Sequence, residues 1–145
     1  MKIIADTHCH TIASDHAYST VLENVAYAEK RGLKCIAITD HAPGITDGPH
    51  YWHFLNLKVI PRIINGLLVL RGAEVNILDD KGTVDLDETA LNALDWVNAS
   101  FHVPSCPPQD EAYHTRAYLN LAKNPKIDVI AHSGTECFRY DYETG

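Results

Sequence analysis

Long apolar runs are missing from this 145-residue sequence. No stretch approaches the roughly 18 consecutive apolar residues that mark a membrane-spanning helix, so no span is expected. A long apolar leader with a cleavage site is missing too. The chain runs from Met1 straight into the strand-like Ile3-Ile4-Ala5, and a cytoplasmic location is the default expectation. Cysteine is sparse: Cys9, Cys35, Cys106 and Cys137 stand far apart with no C-x-x-C pair. A disulfide framework is not expected where 46% hydrophobic residues already supply a core. Basic residues are outnumbered, 12 Lys and Arg against 19 Asp and Glu, for a net charge of −7. They are also unclustered, which argues against a general nucleic-acid surface. An anionic substrate is not excluded, because bound cations would offset local negative charge. Finally, there is no G-x-S-x-G elbow and no phosphate-cradling glycine loop.

What the sequence has is histidine, nine in all, in a repeating pattern of strand and helix. Residues 2–8 read as a buried strand. Residues 20–31 read as an amphipathic helix capped by Ser19 or Thr20 and stopped by Gly32. Further strands are expected at 34–40, 67–74, 96–101 and 127–131, and helices at 54–65 (kinked or restarted at Pro61), 87–94 and 111–123. Asp80-Lys81-Gly82 marks a turn in a small hairpin. This alternation predicts an α/β fold with a mostly parallel sheet and right-handed crossovers. Five strand candidates each run into a His or Glu, and in β/α barrels the working residues lie at the C-terminal strand ends.

His8 and His10 form an H-x-H pair whose side chains share one side of a strand. His16 lies in the loop after it. His41, His102 and His132 follow three other apolar runs, and Glu74 ends the run beginning Leu67-Leu68-Val69-Leu70. Taken singly, His16 reads as a surface histidine, His41 as a hydrogen-bonded structural one, and Glu74 as either a salt-bridge partner or a ligand. Taken together, six imidazoles and a carboxylate at strand ends need a shared counter-charge, and divalent metal supplies it. N and O ligands with few thiolates suit zinc first, with manganese or iron as alternatives. Glu74 alone of the seven can bridge two ions. Clustered ions fit hydrolysis of a phosphate ester by a metal-bound hydroxide. His50, Trp52 and His53 lie in the loop after the second strand, either as a rim that meets substrate or as a self-packed loop. Arg71, Arg116 and Arg139 read as ion-paired or solvated rather than phosphate-binding, and His114 as a non-ligand.

The ordered motifs Asp6-Thr7-His8-Cys9-His10, Thr39-Asp40-His41, Gly72-Ala73-Glu74, Ser100-Phe101-His102 and Ile130-Ala131-His132 resemble those of the PHP (polymerase and histidinol phosphatase) superfamily. Ala17-Tyr18-Ser19-Thr20 and Pro49-His50-Tyr51-Trp52-His53-Phe54 are similar to its YcdX-like phosphatase branch. The resemblance implies a distorted, TIM-like β/α barrel of seven units, of which residues 1–145 would form the N-terminal portion, the first five units. It implies up to three ions: one on His8, His10 and Glu74, a second on Glu74, His102 and His132, a third on His16 and His41. Asp6 and Asp40 would orient ligating imidazoles, a role such sites usually need. The implied substrate is a small phosphate monoester. The alternatives are a nuclease, since related domains accompany DNA polymerases, and a non-catalytic metal-binding fragment. The family pattern ends in a further Asp-x-His motif with no counterpart before Gly145, so self-association or a completing chain is expected. A smaller departure is Ser133, where the family often has proline.

Overall fold

Capping chemistry starts the first helix where the sequence places it. In the structure, a computed structural model that describes residues 2–144, helix α1 spans Val21–Lys30. Thr20 Oγ1 accepts from the Glu23 main-chain N–H at 3.3 Å, and the Glu23 carboxylate accepts from the Thr20 N–H at 2.7 Å. This reciprocal pair satisfies two donors that a helix start would leave unpaired. Helices α3 (Glu88–Ala93) and α4 (Glu111–Leu121) begin on Asp87 and Asp110, whose side chains cap them.

The helix expected over 54–65 stops early. Helix α2 covers only Trp52–Asn56 and tightens into a 3-10 turn at Leu57–Val59. Pro61 drives the preceding Ile60 into extended geometry. Asn65 and Gly66 then adopt φ of 51° and 81°, the left-handed pair of a tight hairpin turn. That turn pairs β3 (Ile63–Ile64) antiparallel with β4 (Leu67–Asn76). The Asn-Gly signal outweighed the helical spacing of the apolar residues. The hairpin expected around Asp80-Lys81-Gly82 shrinks to a single antiparallel bridge, Ile77 with Val84.

The remaining strands are β1 (Ala5–Cys9), β2 (Cys35–Ile38), β5 (Trp96–Ser100) and β6 (Val129–Ile130). They lie in the order β1-β2-β4-β5-β6, each parallel to its neighbour. Strand β4 changes partner along its length: Leu68–Arg71 pairs with β2, Gly72–Asn76 with β5. The sheet curls as a result. Asn98 on β5 donates to the Thr7 carbonyl on β1 at 2.9 Å, although two strands separate them in the sheet. The fold is therefore a curled half-barrel, the first five units of a β/α barrel.

Strand alternation sorts the two faces. Ala73, Val75, Ile77, Val97, Ala99 and Phe101 join the larger core with Phe54 and Leu121. A second core beneath α1 holds Val25, Ile36, Ile38 and Val69. The alternate positions, Glu74, Asn76, Asn98 and Ser100, are polar yet buried. Among the described residues, no helix is long and apolar enough to cross a membrane.

Arg71 holds the strand junction from outside. Its guanidinium donates to Asp95 through Nε at 2.6 Å and Nη2 at 3.0 Å, so it is ion-paired, as the sequence indicates. Gly72 holds the junction from within. A Cβ there would lie 2.6 Å from the Trp96 carbonyl oxygen and 3.0 Å from that of Ile38. Both are main-chain atoms of flanking strands and cannot step aside. Gly72→Ala is expected to lower stability by about 1–3 kcal/mol. Chemical denaturation checks this, and an unchanged midpoint would show that the strands can part.

Candidate metal centre

Main-chain pairing sets the centre of the site. Glu74 N–H donates to the Asp40 carbonyl at 3.0 Å, and Ala42 N–H donates to the Glu74 carbonyl at 2.9 Å. The two bonds straddle His41 and bridge it to Glu74. His8 lies on β1 and His10 just past its end, while His102 and His132 follow β5 and β6. The curl brings opposite edges of the sheet together, and the His8 and His132 rings stack at 5.7 Å. His132 reaches this place with φ of 31°. That value lies in the left-handed range, where a non-glycine residue needs support from its surroundings.

The two oxygens of Glu74 face different imidazoles. Oε2 lies 3.1 Å from His8 Nε2, 3.3 Å from His10 Nε2 and 3.1 Å from His41 Nδ1. Oε1 lies 2.8 Å from His132 Nε2 and 3.6 Å from His102 Nε2, and accepts from Ser100 Oγ at 2.6 Å. His16 stands at the rim, its ring 5.5 Å from that of His10 and 5.1 Å from that of His41. All seven residues singled out in the sequence thus meet in one place.

Several of these close approaches lack hydrogen-bond geometry. His10 Nδ1, His41 Nδ1 and Glu74 Oε2 are buried without a hydrogen-bond partner. Orphaned buried polar atoms are costly, and a cation among them would satisfy lone pairs that no proton now satisfies. Three sets crowd their ligand atoms within 4.8 Å: His10, His16 and His41; His8, Glu74 and His132; His41, Glu74 and His102. These sets cut across the sorting by Glu74 oxygen, because they join His8 to His132 and His41 to His102, one of each pair facing Oε2 and the other Oε1. The sorting by oxygen follows individual atom contacts and is the finer division. Both descriptions leave a donor set that fits divalent cations.

Electrostatics agree with that fit. Burial disfavours a charged Glu74, but contacts from His10, His102, His132 and His8 outweigh it and hold the carboxyl well below its usual range. Burial lowers His41 to about 4 despite the attraction of Glu74, with His10, His102 and His16 adding to the effect. Glu74 thus favours its charged form and His41 its neutral form, the forms in which a carboxylate and an imidazole bind metal. Cys9 takes no part: burial, then Asp6 and Asp40, push its thiol up to about 11.

The PHP domain profile matches residues 6–138. The chain belongs to the PHP domain family. It is 50% identical over 144 residues to a probable phosphatase of Photobacterium profundum, covering 99% of this chain and 58% of that protein. It is 48% identical over 143 residues to a probable phosphatase of Aliivibrio fischeri, with the same two coverages. A probable phosphatase of Shewanella sediminis is 49% identical over 141 residues, 97% of this chain and 57% of that one. The chain thus spans under three fifths of the length of these relatives.

Around the centre of this PHP domain, the supporting residues differ from those expected. Asp6 is exposed, and its carboxylate accepts from the His8 main-chain N–H at 3.2 Å instead of holding a ring. Asp40 is buried but also touches none of the six candidate ligand rings. It accepts from Thr11 N–H at 2.7 Å, Thr11 Oγ1 at 2.8 Å and Ser14 Oγ at 2.9 Å. Ser14 Oγ in turn accepts from the His41 N–H at 3.1 Å. Asp40 therefore fixes the main chain around His41 and the loop after β1. Burial opposes its charge, while His53, Thr11 and Ser14 favour it and leave its carboxyl below the usual range.

The ring-orienting residue is Asn76, whose Oδ1 lies 2.6 Å from His102 Nδ1. Its amide donates to Asp85 Oδ2 at 2.6 Å. A polar residue two positions after Glu74, on the same strand face, was the signal for it. Ser100, the first residue of the Ser100-Phe101-His102 motif, adds a role the sequence did not suggest by donating to Glu74 Oε1 at 2.6 Å. His50 Nδ1 accepts from the Trp52 N–H at 3.2 Å, a bond within its own loop. His53 turns inward, its Nε2 3.4 Å from Asp40 Oδ2. His114 is buried and satisfied, beside the Arg139 carbonyl at 2.9 Å and accepting from Gln109 N–H at 3.1 Å. It has no free lone pair for a metal.

The hydrogen bond to Glu74 raises His132 above the ordinary histidine range, against the opposing effect of burial. Glu74→Gln removes the anion, so His132 is expected to titrate at lower pH in the variant. NMR titration of the metal-free proteins checks this. An unchanged His132 would show that the pair does not form.

Proposed function

We propose that this chain carries a multinuclear divalent metal centre that hydrolyses small phosphate monoesters. The observation that carries the reading is the sorting of imidazoles between the two oxygens of Glu74. His8 and His10 would hold one ion with Oε2, and His102 and His132 a second with Oε1. His16 and His41 would hold a third. The nitrogen and oxygen donors favour zinc, with manganese and iron also suited. Bound there, divalent ions would supply an activated water at neutral pH and positive charge for the phosphate oxygens.

The chain's own residues do the positioning. Asn76 turns the His102 ring, Ser100 holds Oε1 of Glu74, and Asp40 ties Thr11 and Ser14 to the His41 backbone. His53 is the rim residue best placed to meet a substrate, being one-quarter exposed beside Asp40, whereas His50 is occupied within its own loop. Relatives named as probable phosphatases support the substrate class. The net charge of −7 disfavours the nuclease alternative.

Zinc- or manganese-loaded protein is expected to hydrolyse a small aryl phosphate and to leave single-stranded DNA intact. Glu74→Gln is expected to bind at least two fewer ions and to lose turnover by about 100-fold or more. DNA cleavage without monoester turnover would overturn the substrate class. Full metal content in the Gln variant would overturn the bridging role.

A further inference from the structure

The motifs within these residues assign His16 and His41 to the third ion. The structure brings a carboxylate to both. Asp47, in the loop after β2, contacts His16 Nδ1 through Oδ2. The same Oδ2 lies 3.7 Å from His41 Nε2. Its other oxygen is engaged, because Oδ1 accepts from the His16 main-chain N–H at 3.1 Å. Among the described residues no Lys or Arg pairs with Asp47; its ionic neighbours are these two histidines.

The position is built in. Asp15 N–H donates to the Asp47 carbonyl at 3.3 Å, which sews the loop after β1 to the loop after β2. The next residue is Gly48, where a Cβ would stand 2.2 Å from the Ala42 carbonyl oxygen. Only glycine lets the chain fold back so closely, and that fold-back returns Asp47 to His41. The two nitrogens of His41 face different carboxylates: Nδ1 faces Glu74, Nε2 faces Asp47. An imidazole that gives Nε2 to an ion shared with His16 therefore gives it beside Asp47 Oδ2. This is the arrangement around Glu74 repeated on a smaller scale, one carboxylate oxygen facing several imidazole nitrogens.

We infer that Asp47 is a protein ligand, with His16 and His41, of a divalent ion separate from the pair held by Glu74. Two imidazoles and one carboxylate leave coordination positions open for water or a phosphate oxygen. The inference rests on the metal-centre reading above and adds to it a ligand that the motifs did not contain.

The test is metal stoichiometry, by elemental analysis after zinc reconstitution and desalting, of the whole 145-residue chain and of Asp47→Ala and Asp47→Asn. Asparagine keeps a side-chain oxygen that can accept from His16 but removes the charge a ligand needs. Both variants are expected to hold one ion fewer than the parent chain, with an unchanged far-ultraviolet circular dichroism spectrum. His16→Ala is expected to lose that same ion, and the His16→Ala/Asp47→Asn double variant to lose no more than either alone. If Asp47→Asn keeps the full ion count, Asp47 only orients His16 and the inference fails, while the Glu74 reading stands. If the Asp47 variants lose every ion, Asp47 belongs to the fold and not to one site, and the inference again fails. If the parent chain binds no zinc, the metal-centre reading fails and takes this inference with it.

Discussion

A carboxylate shielded from water stays charged only if its surroundings replace the water. Glu74 is fully buried at the centre of the curled sheet. Leaving such a charge unpaired costs about 3–5 kcal/mol, enough to endanger a small domain. Five imidazoles and the Ser100 hydroxyl approach it within 2.6–3.6 Å. They come from both edges of the sheet, so the curl, the strand order and the charge are parts of one requirement. A flat sheet would leave His8 and His132 strands apart and Glu74 without most of its partners.

The scaffold meets that requirement with a division of labour. The helix-facing positions of β4 and β5 are apolar and fill the larger core. The opposite positions, Glu74, Asn76, Asn98 and Ser100, form a buried polar face. Such a face is tolerable only when its groups satisfy one another. Asn98 does so with Thr7, Asn76 with Asp85 and His102, and Ser100 with Glu74. Among the described residues, what stays unsatisfied is confined to the metal centre and its rim: His10 Nδ1, His41 Nδ1, Glu74 Oε2 and His53 Nε2. Polar satisfaction is complete around the site and deficient within it, the pattern expected where a cation belongs.

The framework was legible because its signals are local. Thr20 and Gly32 bracket the first helix in sequence, and apolar runs followed by His or Glu announce strand ends. Six of the seven candidates lie within about three residues of a strand's C-terminal end, and His16 lies in the loop after β1. Two kinds of feature were not legible. The Asn65-Gly66 turn was hidden because helical spacing of Leu55, Val59 and Ile60 pointed the other way, and a two-residue turn decided the outcome. Asp40 and Asp6 were expected to hold imidazole rings, yet hold main chain and hydroxyls. Adjacency in sequence to a histidine does not say which way a carboxylate turns. Asp47 stands outside the ordered motifs, and the contact that fixes it, to His16, comes from a loop about thirty residues earlier.

The proposed bridging of two cations by Glu74 can be seen by anomalous X-ray scattering at the zinc edge, from crystals of the zinc-loaded protein. Separate peaks are expected against the two oxygens of Glu74, one flanked by His8 and His10 and the other by His102 and His132. A single peak served by both oxygens, or zinc bound away from Glu74, would contradict it.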